Sequence, residues 1–336
     1  MTDIRTAASG RLHLVTAMVT AALAGVLVGL AITATEPVAG MVEPDAAVRF
    51  GLPIVRVLLN LAAVVTVGLN LLPILVGGTR PKLAEPVLAA ARRISAVSAL
   101  VWALCALVAL VLQTAELRAD NTVSPAGVID YVSNVGAGKA LVFVAGLALA
   151  SFVLAILSVR TRGAVPVELR TAVALFALLP LPVTGHSTDV EWADFTMISM
   201  ELHVLAAATW TGGLTAMVVL LAANRTLLAG TIPRFSQLAT ACLAVVIATG
   251  LFNAGVELIG SGDLFGELFG TGYGVLVLCK LGCFCLLAAL GANIRWRLLP
   301  AIERHQRTAL VAWAGLELAV MGLAFGFAVA LSRTPI

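Results

Sequence analysis

Two histidines and two methionines lie close together near the middle of this sequence, and their side chains could bind a metal ion. His186 follows a short apolar segment, and Met197, Met200 and His203 recur at three-residue intervals at the start of the next one. Imidazole nitrogen and thioether sulfur are ligands for soft or borderline metals such as copper. Two thioethers favour Cu(I), because Cu(II) prefers more imidazole or carboxylate. The alternative is structural, since buried methionine often only fills gaps in a core.

The composition shows which kind of protein must position these side chains. Hydrophobic residues make up 60% of the chain, charged residues 12%, and the mean hydropathy is +1.04. Soluble domains carry about 25% charged residues, so the chain is an integral membrane protein. The apolar runs are long and continuous rather than alternating, which favours an all-α fold over a barrel. No basic run interleaved with aromatics and no Walker motif occurs, so neither nucleic acid nor nucleotide is an expected ligand.

The hydropathy pattern predicts about nine transmembrane helices in a single membrane domain, residues 1–336. A span needs about 20 apolar residues. The predicted segments are 12–33, 52–76, 94–112, 140–157, 171–183, 195–221, 235–259, 273–294 and 309–331.

Loop charges predict the orientation of these helices. Fifteen of the 21 Lys and Arg residues fall on one side of the predicted membrane and four on the other. Short cytoplasmic loops carry the excess of positive charge. We therefore expect a multi-pass protein with a cytoplasmic N-terminus and a C-terminus outside. Acidic residues concentrate in the outer loops and could attract cations.

The fifth predicted segment is too short to cross the membrane as a regular helix. Residues 171–185 would span about 22 Å as a helix, against a hydrocarbon core about 30 Å thick. Pro180 and Pro182 interrupt its outer end. His186 is therefore expected below the outer surface, in a broken or re-entrant segment.

Helical spacing predicts which side chains accompany His203. Met197 and Met200 precede it by six and three residues, and Trp210 follows by seven, so all four lie along one face. Glu201 points to the opposite side. We therefore predict His186, His203, Met197 and Met200 as metal ligands, with Trp210 beneath them.

Other predicted helices place polar groups, and one methionine, at similar depth. Charges within a membrane span face the protein interior and are functional candidates by default. Structural pairing, such as Glu257 with Arg56 or Lys280, is the alternative, whereas the isolated Glu317 fits a transport or proton-relay role equally well. The candidates for a transport path or for polar support are Arg56, Asn60, Asn253, Glu257, Lys280, Glu317 and Met321.

Two pairs of glycines at four-residue spacing, Gly25 with Gly29 and Gly322 with Gly326, predict close helix packing.

Several motifs in the second half resemble those of the copper resistance protein D (CopD) family. The matching residues are the run from His203 to Trp210-Thr-Gly212-Gly213, then Arg234-Phe-Ser, Thr249-Gly-Leu-Phe-Asn253, Tyr273-Gly to Lys280, Asn293 to Arg297, and Glu317 with the ending Ala-Leu-Ser-Arg-Thr-Pro. The resemblance is strongest over residues 184–336, a CopD-like core region.

The resemblance implies copper handling in a bacterial cytoplasmic membrane, with uptake from the outer side and, in some members, a periplasmic copper-binding partner. It maps the family's functional histidines onto His186 and His203. Some actinobacterial-type members continue into a CtaG-like copper-assembly domain. The sequence stops at Ile336, so we expect this domain to be absent.

Three functions follow as hypotheses, none of them enzymatic. The first is a copper transporter or permease that takes up copper through a His/Met site. The second is a delivery or assembly factor that holds copper for a cuproenzyme such as cytochrome oxidase without translocating it. The third is a b-type haem electron-transfer protein, with His186 and His203 as axial ligands.

Overall fold

Helices account for almost all of the chain that the computed structural model describes, namely residues 2–34, 45–78, 80–118, 123–184, 193–260, 264–298 and 310–334. These ranges contain no strand, which confirms the all-α prediction. The helices are α1 (Thr2–Ile32), α2 (Ala46–Val76), α3 (Pro81–Glu116), α4 (Pro125–Asn134), α5 (Gly136–Arg160), α6 (Val167–Phe176), α7 (Ala193–Leu221), α8 (Arg225–Gly260), α9 (Leu264–Gly270), α10 (Gly272–Asn293) and α11 (Leu310–Leu331). A π-helical turn, Ile294–Leu298, follows α10.

Eight of these helices are long and apolar enough to cross a membrane: α1, α2, α3, α5, α7, α8, α10 and α11. They coincide with eight of the nine predicted segments. The described ranges also contain two short helices, α4 and α9, that hydropathy does not single out. Each lies directly before a spanning helix, and Thr271 caps α10 by accepting a hydrogen bond from Gly274 N at 3.0 Å.

The fifth predicted segment does not form one helix over residues 171–183. Helix α6 ends at Phe176, and the chain continues in tight turns to a 3₁₀ turn at Pro182–Thr184. The physical cause is proline, because Pro180 and Pro182 supply no N–H for helical hydrogen bonds. The backbone instead makes three-residue bonds, such as Leu181 N to Leu178 O at 3.1 Å.

This broken segment nevertheless runs alongside α2 from Asn70 to Arg56. At one end, the Thr171 hydroxyl donates to the carbonyl oxygen of Asn70 at 3.0 Å. At the other end, Arg56 donates to the carbonyl oxygen of Thr184 at 2.5 Å. Arg56 and Asn70 are fourteen residues apart on α2, or about 21 Å along its axis. The segment therefore runs antiparallel to α2 and counts as a crossing.

The packing of α1 against α11 also indicates that the broken segment is a crossing. A Cβ added at Gly322 would overlap the carbonyl of Met18, and one added at Gly326 would overlap that of Ala22. Residue numbers rise together on the two helices, from Met18 with Gly322 to Ala22 with Gly326, so the helices run in the same direction. Seven crossings between them in the described chain give that result, whereas six would reverse α11. The predicted glycine-mediated packing is confirmed.

Helices α2 and α7 cross at a backbone-to-backbone contact near the centre of the bundle. A Cβ at Gly68 would overlap the carbonyl group of Gly212, and one at Gly212 would overlap the carbonyl oxygen of Val64. Beside this crossing, Phe235 of α8 packs over Gly213, and Arg234 donates to the last carbonyl groups of α2. Gly212 and Gly213 on α7 and Arg234 and Phe235 on α8 thus act together to fix α7 against α2 and α8.

Candidate functional site

A cavity of about 270 Å³ lies beside the α2–α7 crossing, on the side that the loop charges predict to be the outer one. Its wall is formed by α2, α7, α10 and α11, with contributions from α5, α8 and the broken segment. The cavity brings together seven of the residues singled out from the sequence: Arg56, Asn60, Met200, His203, Trp210, Lys280 and Met321.

The ring of His203 is held in one tautomer by Thr249 on α8. Nδ1 of His203 lies 2.9 Å from the Thr249 hydroxyl oxygen. That hydroxyl has a single hydrogen, which it donates to the carbonyl oxygen of Val245 at 2.6 Å. Thr249 can therefore only accept from the ring, so Nδ1 carries the proton. The lone pair on Nε2 is then free to bind a metal ion, in the arrangement typical of ligating histidines.

An aromatic contact also restricts the His203 ring. Phe284 of α10 meets His203 edge to face, with the ring centroids 6.5 Å apart. Gly250 of α8 lies on another side, where an added Cβ would be 3.5 Å from Cε1 of His203. A ligand ring fixed by its neighbours loses little rotamer freedom on binding a metal.

Met200 lies one turn outward from His203 and contacts Asn253 of α8. The amide nitrogen of Asn253 lies 3.8 Å from the Met200 sulfur. Asn253 is only 7% exposed, and its amide oxygen has no hydrogen-bond partner among the described residues. An unsatisfied buried carbonyl oxygen is costly, and a cation bound beside Met200 would offset that cost.

The inner end of the cavity is closed. Trp210, which is 5% exposed, and Thr211 line this end. The backbone contact between Gly68 and Gly212 follows immediately. On α11 the inward neighbour of the cavity-lining Met321 is Glu317, one turn away and 5% exposed.

Polar contacts surround the outer end. Arg56 donates to the carbonyl oxygen of Thr184, and Arg333, which follows the end of α11, forms an ion pair with Glu116 of α3. Nearby, the Tyr131 hydroxyl of α4 donates to the amide oxygen of Gln113 at 3.2 Å. Burial raises the pKa of Tyr131 because the phenolate would lose solvation, so the hydroxyl remains a donor.

The remaining candidates are placed differently. Met197 is half-buried and is not part of the cavity wall, and Glu317 lies inward of it. His186 and the side chain of Glu257 lie outside the described residues. Within the described ranges no group of three or more His, Cys, Asp or Glu residues could hold a metal ion, so a site here would depend on thioether and amide donors.

Sequence reasoning missed the partners of two candidates. Thr249 belongs to a polar stripe with Asn253 on α8 that the spacing reveals, but its bond to His203 depends on the register between α7 and α8. The partner of Arg56 is a backbone carbonyl rather than a carboxylate, and no side-chain pattern indicates it.

Comparison with known proteins finds the same family in both halves of the chain. The profile described as "Copper resistance protein D" matches residues 229–331. The profile described as "Copper resistance protein D-like, N-terminal domain" matches residues 41–193. Helix α7, with Met200, His203 and Trp210, lies between the two matched ranges. No solved structure matches the chain.

Two curated bacterial proteins are similar over part of their length. Copper transport protein CutJ of Bacillus subtilis (strain 168) is 37% identical over 120 residues, which are 34% of this chain and 21% of that protein. Copper resistance protein D of Pseudomonas syringae pv. tomato is 30% identical over 137 residues, 38% of this chain and 43% of that protein. The chain thus spans less than half the length of each relative. With family profiles matching on both sides of α7 and an all-helical membrane fold, the chain belongs to the copper resistance protein D family.

Proposed function

We propose that this protein is a copper permease that accepts Cu(I) from the outer face and binds it at His203 and Met200. The observation that carries the proposal is the cavity wall, which His203 and Met200 line together from positions three residues apart on α7, with Nδ1 of His203 bonded to Thr249. Imidazole and thioether together suit Cu(I). The names of the two relatives, a copper transport protein and a copper resistance protein, support copper as the ion.

Asn253 supports this site from behind. Its amide nitrogen lies 3.8 Å from the Met200 sulfur, and a cation bound there would stabilise the unpartnered oxygen of the same amide group. In this proposal His186 and Met197, which come before this part of α7 in the chain, serve as ligands during approach from the outer side. A periplasmic copper-binding protein would deliver the ion there.

The inward route passes the closed end of the cavity. Copper leaves His203 past Met321 in the cavity wall, and it meets the carboxylate of Glu317 on α11 when Trp210 and the α2–α7 crossing separate. Alternation between an outward cavity and an inward one is the usual way for a membrane protein to move a solute past a fixed site. No nucleotide motif is present in the sequence, so this transport depends on an ion gradient or on copper itself.

We expect Met200→Leu to lower Cu(I) affinity and copper flux about tenfold or more, comparable with the 10–100-fold loss caused by removing a ligand's hydrogen-bond partner. The substitution conserves volume and costs less than about 1.5 kcal/mol of stability. The measurement is Cu(I) titration against a chromogenic chelator, together with copper uptake into proteoliposomes. Met217→Leu, in the core of the same helix and 4% exposed, is the matched control. Equal losses in both variants would refute a role for Met200.

The closed inner end favours one other function, the delivery of copper to a cuproenzyme without translocation. The two functions share the site and differ in flux. Copper binding that requires His203 and Met200, in proteoliposomes that show no uptake, would favour delivery. A Soret band in the purified protein, lost in a His203 variant, would instead favour haem.

A further inference from the structure

The copper cavity carries more positive charge than a site for a bare cation should. Its described wall contains two cationic side chains, Arg56 and Lys280, and no carboxylate. Glu317 lies inward of the wall, and Glu116 at the outer end is already paired with Arg333. The two ligands assigned to copper, imidazole and thioether, are neutral and leave the charge of the ion uncompensated.

Lys280 is the more informative of the two cations. Arg56 donates to the carbonyl oxygen of Thr184. Lys280 makes no hydrogen bond or ion pair with any residue that the structure describes, although it lines the same cavity as His203. An unpaired ammonium beside a bound Cu(I) ion would repel it, the more strongly because the surroundings are apolar. Charges within a membrane span are normally paired, and among the residues that the structure describes no anion pairs with Lys280.

We propose that the cargo is copper in complex with a small monovalent anionic ligand of the halide or thiolate type. This inference rests on the proposed function. The anion occupies a further coordination position on Cu(I), beyond His203 and Met200, and its charge pairs with Lys280. The copper–anion complex itself is then neutral, and its negative end, rather than a bare cation, faces the ammonium of Lys280, which removes the repulsion. Copper stays Cu(I) throughout, and the anion binds without electron transfer.

X-ray absorption of Cu(I)-loaded protein tests the proposal directly. In a buffer with bromide added to non-coordinating sulfate, the wild-type protein is expected to show bromine bonded to copper. Lys280→Leu should lose that signal, whereas Lys280→Arg should keep it, because arginine retains the charge and cannot coordinate as a free amine. A parallel sample with 2-mercaptoethanol in place of bromide shows whether thiolate is the preferred anion, seen as an added sulfur that depends on the charge at position 280.

The affinity for Cu(I) provides a second readout, in which the effect of Lys280→Leu depends on whether a coordinating anion is present. Without a coordinating anion, Lys280→Leu should bind Cu(I) at least as tightly as wild type, because the repulsion is gone. Adding bromide should tighten binding severalfold more in wild type than in Lys280→Leu, with free copper fixed by the same chelator. Wild type without bonded bromine or added thiolate sulfur, or a signal that persists in Lys280→Leu, would overturn the proposal. Either result leaves His203-dependent copper binding intact, whereas loss of that binding would refute the proposed function itself.

Discussion

A His203→Ala variant is expected to bind Cu(I) at least about 100-fold more weakly than the wild-type protein. Removing the hydrogen-bond partner of a ligand costs about 10–100-fold in metal affinity, and removing the ligand itself should cost more. His203 supplies the one nitrogen in the described cavity wall whose lone pair is freed by a defined bond on the other side of its ring. Chelator competition with Cu(I), on protein shown to be monodisperse, measures the effect.

Two further variants make this result specific. His13→Ala removes an exposed histidine from α1, far along the chain from the cavity, and should leave affinity unchanged. Thr249→Val removes the acceptor that orients the His203 ring and should give an intermediate loss of about 10–100-fold. Equal affinities for the His203 and His13 variants would show that copper binds elsewhere.

A Gly68→Ala variant is expected to lose most of its folded population. The added Cβ would overlap the carbonyl group of Gly212, and this obstacle is backbone, which cannot rotate away as a side chain can. Overpacking of a core costs about 1–3 kcal/mol and occasionally more, and here we expect the upper end or beyond. Because α7 carries Met200 and His203, any folded remainder should also bind copper weakly.

Gly146 on α5 provides the matched control for this substitution. It is exposed, and an added Cβ there would meet nothing within 4 Å. Gly146→Ala should be neutral or slightly stabilising, since alanine favours a helix over glycine by about 0.5–1 kcal/mol. Thermal unfolding and size-exclusion profiles in detergent measure both variants. If Gly68→Ala unfolds at the wild-type temperature, the α2–α7 crossing is not the close contact described.

Hydropathy and loop charge predict most of the fold because lipid imposes strong constraints on spanning segments. Eight spans appear where the apolar runs predict them. The fifth was predicted to be short and broken by Pro180 and Pro182, and the backbone confirms the break at Phe176. The sequence could not show that this broken segment still crosses beside α2, because that follows from the contacts of Thr171 and Thr184.

The candidate site was predictable along one helix and much less so between helices. The helical repeat of about 3.6 residues per turn places Met200, His203 and Trp210 on one face of α7, and all three line the cavity. Met197 shares the spacing but lies outside the wall, to which α7 contributes residues only from Met200 to Thr211. The bond from His203 to Thr249 depends on how α7 and α8 are offset, and hydrophobic pattern contains no information on that offset.

The most direct test of the account is the copper coordination seen by X-ray absorption in Cu(I)-loaded protein without added halide or thiol. We predict one imidazole nitrogen and one thioether sulfur on copper, with the imidazole signal lost in His203→Ala and the sulfur signal lost in Met200→Leu. An all-sulfur environment unchanged in Met200→Leu, or an imidazole signal that persists in His203→Ala, would contradict the assignment of this cavity as the copper site.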